Sequence, residues 1–417
     1  MALNRRNFLQ GSLGGLTLAT LAQPVPAFLV QAAEAAAAQN DPEGRILVVL
    51  QMAGGNDGLN TVVPFENDVY GRKRTTLRLR ANEVLKIEDH LGLNAELQTL
   101  WPMWQEGQFS IVQGVGHRGG NRDHGGAMRG WHTAMPDDRT CQTGWIGRAL
   151  DAQEDESLPA AFVGVIPQPL ALVGKRAVVP SIRSLRDLAL HASSTGEAGR
   201  SFRQQLQHAA EFDRGVNNPL LAAARRNTQA AYQLGAKVED ALARTGRDSG
   251  DYPDYPLANT LRNVAALMRA QVGFRIFYVE HGGNEPGAYD THANQAKNHP
   301  ALLRELASSL AAFTNDLKRA GLLDRVLLFT FSEFGRTVEE NGRNGTGHGE
   351  AQPVLMIGGG LQGGLVGKHP DMSDLAGDAP RAHTDFRRIY AAGLQWLGID
   401  HRQVLEPQFA PLEVLKA

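Results

Sequence analysis

The sequence lacks cysteine pairs and an excess of charge of either sign. Its 417 residues include one cysteine, Cys141, which excludes an intrachain disulfide framework and a cysteine-rich zinc site. Any metal must therefore be held by His, Asp, Glu or Asn. The 42 Lys and Arg residues face 44 Asp and Glu residues, for a formal net charge of -2. Such a chain has no bulk electrostatic attraction for nucleic acid or anionic lipid, so we expect neither as a partner.

A long, uninterrupted apolar run is also missing. The best candidate spans residues 11–30, but glycines and two prolines, Pro24 and Pro26, interrupt it before the about 20 residues that a membrane span requires. It follows the paired arginines Arg5 and Arg6 and leads to small residues around Ala33. This order is typical of a twin-arginine export signal, the alternative being a basic N-terminal helix with a buried apolar run.

From this order we predict an export signal over residues 1–38 and no stable membrane span. The mature chain, 39–417, is then periplasmic or secreted, and the twin-arginine translocase is its partner during export.

The rest of the chain alternates apolar runs of strand length with helical patterns. The first run, Arg45–Met52, ends in a glycine-rich turn, as buried parallel strands do. Comparable runs follow at 109–115, 162–166, 274–280, 326–331 and 354–357, and helical patterns at 93–104, 219–243, 257–270, 300–320 and 384–396. This alternation predicts an α/β fold with a central, mostly parallel sheet covered by helices on both faces. Residues 190–271 are predicted to be a helix-rich insertion.

Side chains that can bind a metal follow four of the six predicted strands. They are Asp57 after the first, His117, Asp123 and His124 after the second, Asp290 and His292 after the fourth, and Glu333 after the fifth, with His348 further on. Active sites of this fold class lie beyond the carboxyl ends of the strands, so these groups are predicted to gather at one edge. Carboxylates and imidazoles from distant segments are how Zn, Mn or Fe sites without cysteine are assembled.

Each of these residues also has a structural interpretation. An aspartate such as Asp57 after a buried strand is often a turn former or a helix N-cap. Asp290 and His292 are consistent with an Asx turn and a solvated imidazole, and Glu333 with Arg336 is consistent with an ion pair at a helix start. The sequence leaves both interpretations open.

Four stretches of the chain resemble a known family. They are residues 51–64 (QMAGGNDGLNTVVP), 290–292 (DTH), 332–337 (SEFGRT) and 347–349 (GHG). Together they resemble the twin-arginine-exported bacterial family catalogued as domain of unknown function 1501, and the likeness covers nearly the whole chain in the right order. By fold, that family is placed with the alkaline phosphatase and sulfatase superfamily, whose members hold two metal ions at the carboxyl edge of a parallel sheet.

The resemblance implies a ligand set for a divalent cation, which would be Zn, Mn, Ca or Fe. Asp57 occupies the position of the first-strand metal aspartate, and Glu333 stands where the superfamily usually has an Asp-His pair. Asp290 and His292 correspond to the Asp and His of the other metal, and His348 to the late histidine that completes it. The Ser or Thr nucleophile of the superfamily has no counterpart, because Asp123 stands where relatives often have a serine.

The predicted function is an exported metal-dependent hydrolase that acts on a phosphate or sulfate ester, in a small molecule or a polymer. His124 would be a general base or transient nucleophile, Asp123 would orient it or hold a metal, and Arg336 or Arg122 would neutralise the tetrahedral anion. The alternative is a non-catalytic periplasmic binding or interaction protein that retains the fold and a remnant metal site.

Overall fold

The computed structural model describes residues 44–153, 159–183, 251–282 and 288–416. The predicted export signal, residues 1–38, lies outside the described residues. So does most of the predicted helix-rich insertion, including the helix expected at 219–243.

In the described chain, the strands of six or more residues all overlap apolar runs that were predicted to be strands. The strands are β1 (Ile46–Met52), β2 (Val62–Val63), β3 (Val84–Lys86), β4 (Gly92–Asn94), β5 (Phe109–Gly116), β6 (Ala160–Val163), β7 (Ser181–Ile182), β8 (Ile276–His281), β9 (Val326–Phe331), β10 (Arg336–Glu340), β11 (Thr346–His348), β12 (Gln352–Ile357), β13 (Gly364–Val366), β14 (Leu375–Ala376), β15 (Ala379–Pro380) and β16 (Thr384–Asp385).

The α-helices of the described chain lie between these strands. They are α1 (Asp68–Lys73), α2 (Trp101–Gln105), α3 (His124–Thr133), α4 (Trp145–Asp151), α5 (Pro256–Arg269), α6 (Gln295–Arg319) and α7 (Arg387–Trp396). Short 3-10 helices occur at Gly58–Asn60, Ala95–Leu100, Leu170–Leu172, Leu323–Arg325 and His401–Gln403. Among the residues described, no helix is long and apolar enough to cross a membrane.

The central sheet is mostly parallel, which confirms the predicted fold class. Its order is β13-β5-β12-β9-β1-β8-β6-β7, and β16 pairs with β5. Strand β1 lies between β8 and β9 and is parallel to both. Strand β12 is antiparallel to both of its neighbours, β5 and β9. Strands β5, β9, β1 and β8 therefore end at the same edge of the sheet.

Both faces of the sheet are covered, which explains why β1 is apolar at almost every position. Val48 and Leu50 belong to a cluster that also contains residues of α5 and α6. Leu47 and Val49 belong to a second cluster on the opposite face, with residues of α4 and α7. All seven residues of β1 are buried.

Three predicted helices have different bounds in the structure. The segment 93–104 begins with the last residues of β4 and continues as a 3-10 helix before α2. Helix α6 begins before Pro300, which lies inside it and removes only one backbone donor. The segment 384–396 starts with β16, because Thr384 and Asp385 pair with the end of β5 before α7 begins.

Candidate metal centre

The loop after β8 brings Asp290 and His292 to the carboxyl edge of the sheet. Its backbone is attached to the turn after β1, since the amide of Tyr289 donates to the carbonyl of Ala53 at 3.0 Å. Gly54 permits this approach. Its φ is +115°, and a Cβ atom there would lie 2.5 Å from the Asp290 nitrogen. A side chain at position 54 would therefore push the loop away.

His348 reaches the same place from a hairpin. Strands β10 and β11 are antiparallel and place Arg336 opposite His348. The hairpin is attached to the preceding loop, because the amide of Thr346 donates to the carbonyl of Thr291 at 3.1 Å. The ring of Phe334 stacks on that of His348, with the centroids 4.3 Å apart.

His124 is the first residue of α3, and Asp123 is the N-cap of that helix. The Oδ1 atom of Asp123 accepts a hydrogen bond from the amide of Gly126 at 2.7 Å, as N-cap aspartates do. Asp123 was predicted to orient His124 or to hold a metal. The structure gives it a capping role instead, and the carboxylate that contacts the imidazole of His124 is that of Glu333.

Three imidazoles surround the carboxylate of Asp290. Oδ1 of Asp290 lies 3.1 Å from Nε2 of His348 and 3.1 Å from Nε2 of His292. Oδ2 lies 3.5 Å from Nε2 of His124. The ligand atoms of His124, Asp290 and His348 all lie within 4.8 Å of one another, and Nε2 of His292 is 2.8 Å from Nε2 of His348. We call these four residues the Asp290 cluster.

Two of the imidazoles are oriented through their Nδ1 atoms. Nδ1 of His348 lies 2.7 Å from the carbonyl oxygen of Arg122, which can only accept. Nδ1 of His124 lies 3.0 Å from Oε1 of Glu333. A proton on each Nδ1 leaves the lone pair of a neutral ring on Nε2, which faces Asp290. This is the arrangement that metal-binding histidines have in proteins.

Glu333, predicted as a metal ligand, contacts the cluster through His124. Its side chain is 4% exposed, and both carboxylate oxygens accept from the amide of Gly54, at 2.8 and 2.9 Å. A hydrogen bond to Ser332 adds to this. The carboxylate is therefore held in place and fixes the direction of the His124 ring.

Arg336, predicted to bind a substrate anion, is buried and fully engaged within the protein. Its side chain is 0% exposed. The guanidinium donates to the carbonyls of Gly54, Gly55 and Tyr289, and to Oδ1 of Asp290 at 2.8 Å. This geometry replaces the predicted catalytic role with a positioning role, because Arg336 holds Asp290 and the loop that carries it.

Asp57 is the predicted ligand that the structure separates from the cluster. It is completely buried, and its carboxylate pairs with Arg74 at 2.5 Å and 3.0 Å. It also caps the 3-10 helix Gly58–Asn60 and accepts from the side-chain amide of Gln295. Its oxygens are thus used by the protein itself, so the structural interpretation fits and the ligand role does not.

The charges within the cluster favour a bound cation. Burial raises the pKa of Asp290, but the hydrogen bond and charge of Arg336 outweigh it and hold that pKa below its ordinary value. The carboxylate is therefore ionised at neutral pH. Burial lowers the pKa of His292, which keeps its ring neutral. The pKa of His124 is raised, chiefly by its hydrogen bond to Glu333, so a cation at Nε2 competes with a proton for this ring.

The sequence model of a family described as "Protein of unknown function (DUF1501)" matches residues 45–411. The chain belongs to this family. This match confirms the family resemblance that was inferred from the GGNDGLN and SEFGRT stretches. No curated protein sequence matches the chain significantly.

The DUF1501 chain has weak similarity to several solved structures. They include the lipoteichoic acid synthase LtaP from Listeria monocytogenes (9% identity, covering 89% of this chain and 77% of that chain, TM-score 0.36), the PsFucS1 sulfatase from Pseudoalteromonas sp. (10%, 93% and 75%, TM-score 0.39) and a protein in the alkaline phosphatase superfamily from Vibrio parahaemolyticus (9%, 93% and 79%, TM-score 0.36). Likenesses this weak carry no argument about activity.

Two contributors to the site were missed by reasoning from the sequence. The carbonyl of Arg122 orients His348, and a backbone acceptor carries no residue-type signal. The ring of Phe334 packs against both His348 and His124, with centroids 4.3 and 5.1 Å apart. Its position next to Glu333, a predicted ligand, was the one sign in the sequence that Phe334 lies at the site.

Proposed function

We propose that this protein is a metal-dependent hydrolase of a phosphate or sulfate ester, with the Asp290 cluster as its metal centre. The observation that carries the proposal is the convergence of His124, Asp290 and His348 within 4.8 Å. Because Glu333 and the Arg122 carbonyl occupy the Nδ1 atoms of the two histidines, both Nε2 atoms are left for a cation.

The donor set fits a transition metal. Imidazole nitrogens with one carboxylate suit Zn, Mn or Fe, whereas Ca prefers a shell of oxygens. His124, Asp290 and His348 would hold the ion, and His292 is placed to join them. A divalent cation would polarise a phosphoryl or sulfuryl oxygen and lower the pKa of water, chemistry that does not depend on a serine nucleophile.

The surrounding residues prepare the cluster for this role. Glu333 fixes the orientation of the His124 ring, and Arg336 fixes Asp290. Phe334 packs against the rings of His348 and His124 and so supports their orientation. Such support holds ligands near their working geometry before an ion arrives.

The test uses the full chain with 4-nitrophenyl phosphate and 4-nitrophenyl sulfate, before and after treatment with a chelator. We expect hydrolysis of one ester, its loss with the chelator, and its return with Zn, Mn or Fe. Asp290→Asn should abolish it. Asp400→Asn is the matched control, because Asp400 is also an arginine-paired carboxylate, at 2.6 Å from Arg402. Activity that survives both the chelator and Asp290→Asn would contradict the proposal.

A second candidate is a non-catalytic binding protein with the same metal site. It is favoured by the start of α3, where the side chain of Asp123 caps the helix at the position of the superfamily's nucleophile. A protein of this kind would bind metal in a stoichiometric amount and would hydrolyse neither ester. Removal of the metal would lower its stability and have no other effect.

Export through the twin-arginine route belongs to the same proposal. It is supported by Arg5 and Arg6 ahead of a weakly apolar, glycine-rich stretch. Replacing both arginines by lysine should retain the protein in the cytosol, as fractionation of producing cells would show. Unchanged periplasmic or secreted protein would contradict this part of the proposal.

A further inference from the structure

A buried amide joins the two segments that carry ligands of the Asp290 cluster. Gln295 is the first residue of α6, and its side chain is buried. Its Oε1 atom accepts from the hydroxyl of Thr291 at 2.9 Å and from that of Thr346 at 2.7 Å. Thr291 directly follows Asp290, and Thr346 lies two residues before His348. One side-chain oxygen therefore connects the loop after β8 to the hairpin of β10 and β11.

The carboxylate of Asp57 determines which way the amide of Gln295 points. Burial raises the pKa of Asp57, but the charge and hydrogen bond of Arg74 outweigh burial and hold that pKa below its ordinary value. An ionised carboxylate only accepts, and Nε2 of Gln295 donates to its Oδ2 atom. Oε1 at the other side of the amide must then face the two threonines. An amide oxygen has two lone pairs, and the two hydroxyls use both of them.

The loop and the hairpin are in close contact around Gln295. The backbone amide of Gln295 donates to the carbonyl of Asn344, in the turn between β10 and β11, at 2.9 Å. Nδ2 of Asn341, in the same turn, donates to the carbonyl of His292 at 3.0 Å. A Cβ atom at Gly345 would lie 2.2 Å from the carbonyl carbon of His292. The position of the hairpin relative to the loop is therefore set by these contacts.

The spacing of the two segments determines the spacing of the ligand atoms. Asp290 belongs to the loop and His348 to the hairpin, and Oδ1 of the first lies 3.1 Å from Nε2 of the second. A carboxylate oxygen and an imidazole nitrogen bind a transition metal at about 2 Å, and they must be held within about 0.5 Å of their working positions. Hydrogen bonds that join the segments one or two residues from the ligands can hold them in this way.

We propose that Gln295 is a positioning residue of the metal centre, which fixes the spacing of Asp290 and His348 through its hydrogen bonds to Thr291 and Thr346. The inference rests on the proposed function, because it takes the Asp290 cluster as the site of the metal. Gln295 is not itself a ligand. Oε1 is the one side-chain atom with which it could bind a cation, and the two hydroxyls occupy that atom.

The test measures the Zn affinity of the full chain by titration against a competing chelator. Thr291→Val and Thr346→Val each remove one hydroxyl at nearly constant volume, so we expect Zn affinity to fall about 10-fold in each variant. Thr291→Ser and Thr346→Ser keep the hydroxyl and should bind Zn as the wild type does. Thr314→Val is the matched control, because the buried hydroxyl of Thr314 donates to the carbonyl of Leu310 within α6.

A double-mutant cycle tests whether the effect passes through Gln295. Gln295→Met keeps most of the side-chain volume but removes the acceptor of both hydroxyls, so Zn affinity should fall by about 10- to 100-fold. Adding Thr346→Val to Gln295→Met should cause no further loss, because the hydrogen bond is already absent. If Gln295→Met does not fold, the threonine variants, which leave Gln295 in place, still test the proposal.

The visible absorption of the Co-loaded protein is an independent readout, because it reports the arrangement of the ligands and not the stability of the fold. The spectrum should change in Thr291→Val, Thr346→Val and Gln295→Met. It should match that of the wild type in both serine variants and in Thr314→Val.

Wild-type Zn affinity and an unchanged Co spectrum in both threonine-to-valine variants, whatever their stability, would overturn the positioning role and leave the proposed function intact. Additive losses in the double-mutant cycle would do the same. A wild-type protein that binds neither Zn nor Co and hydrolyses neither ester would overturn both.

Discussion

Nδ1 of His124 and Oε1 of Glu333 lie 3.0 Å apart, although the two residues are 209 positions apart in the chain. The contact joins the start of α3 to the loop that follows β9. It defines the tautomer of His124 and so makes Nε2 the atom that faces Asp290, at 3.5 Å. Metal binding by His124 depends on this contact, because a ring turned the other way would offer a proton where a cation needs a lone pair.

The first prediction concerns Glu333→Gln. The amide would keep the volume of the side chain but lose the negative charge that supports His124, so metal affinity should fall by about 10- to 100-fold. Titration with Zn against a competing chelator measures this. Glu350→Gln is the control, since Glu350 is also a buried carboxylate, which accepts the amides of Gly119 and Ala382. An equal loss of metal affinity in both variants would show that the loss in Glu333→Gln does not arise from its contact with His124.

The second prediction separates Asp123 from the metal centre. As the N-cap of α3 it stabilises the start of that helix, so Asp123→Ala should lower the free energy of unfolding measured by chemical denaturation. The metal content of the Asp123→Ala variant should equal that of the wild type. The Asp123→Asn variant keeps a capping oxygen, so its stability should be close to that of the wild type. A variant that folds normally but has lost the metal would return Asp123 to the ligand set.

A third prediction concerns the buried pair of Asp57 and Arg74. Removing one partner leaves the other charge buried and unpaired, so Asp57→Ala should lower the free energy of unfolding by about 3–5 kcal/mol. Chemical denaturation measures this loss. The folded fraction should still bind the metal, because Asp57 is used by Arg74 and by the 3-10 helix it caps. Loss of metal from protein that remains folded would mean that Asp57 is a ligand after all.

The pH dependence of stability gives a fourth prediction. Burial lowers the pKa of His132 from the ordinary 6.5 to about 4, and its Nε2 lies 2.8 Å from Oε1 of Gln51. Between these two pH values the unfolded chain binds a proton at this site and the folded protein does not. The free energy of unfolding should therefore fall as the pH falls through the window. His132→Gln should make the slope shallower by about 1.4 kcal/mol per pH unit, measured by denaturant unfolding. An unchanged slope would mean that His132 is protonated in the folded protein.

The sheet could be predicted from sequence because its strands are buried on both faces. The run 326–331 is apolar and bounded by turn residues, and β9 has those bounds. Strand β16 could not be found this way. Its two residues, Thr384 and Asp385, are identified by their pairing with β5, a contact over long sequence separation that leaves no local pattern.

The candidate site, like the sheet, could be predicted from the sequence only in part. The positions of Asp290, His292 and His348 after strands or in glycine-rich turns placed them together, and the structure brings them within a few ångströms. The uses of Asp57 and Arg336 could not be predicted, because they depend on partners elsewhere in the fold. Arg74 lies in the segment after α1, and two of the carbonyls that Arg336 binds, those of Gly54 and Gly55, belong to the turn after β1.

The central claim is that the Asp290 cluster binds a divalent metal. Elemental analysis of the dialysed full chain, beside Asp290→Ala and His348→Ala, tests it most directly. We predict a stoichiometric content of Zn, Mn or Fe in the wild type and none in either variant, with Asp400→Ala matching the wild type. A wild type that is folded and metal-free after loading with each ion, or variants that keep the metal, would contradict the account.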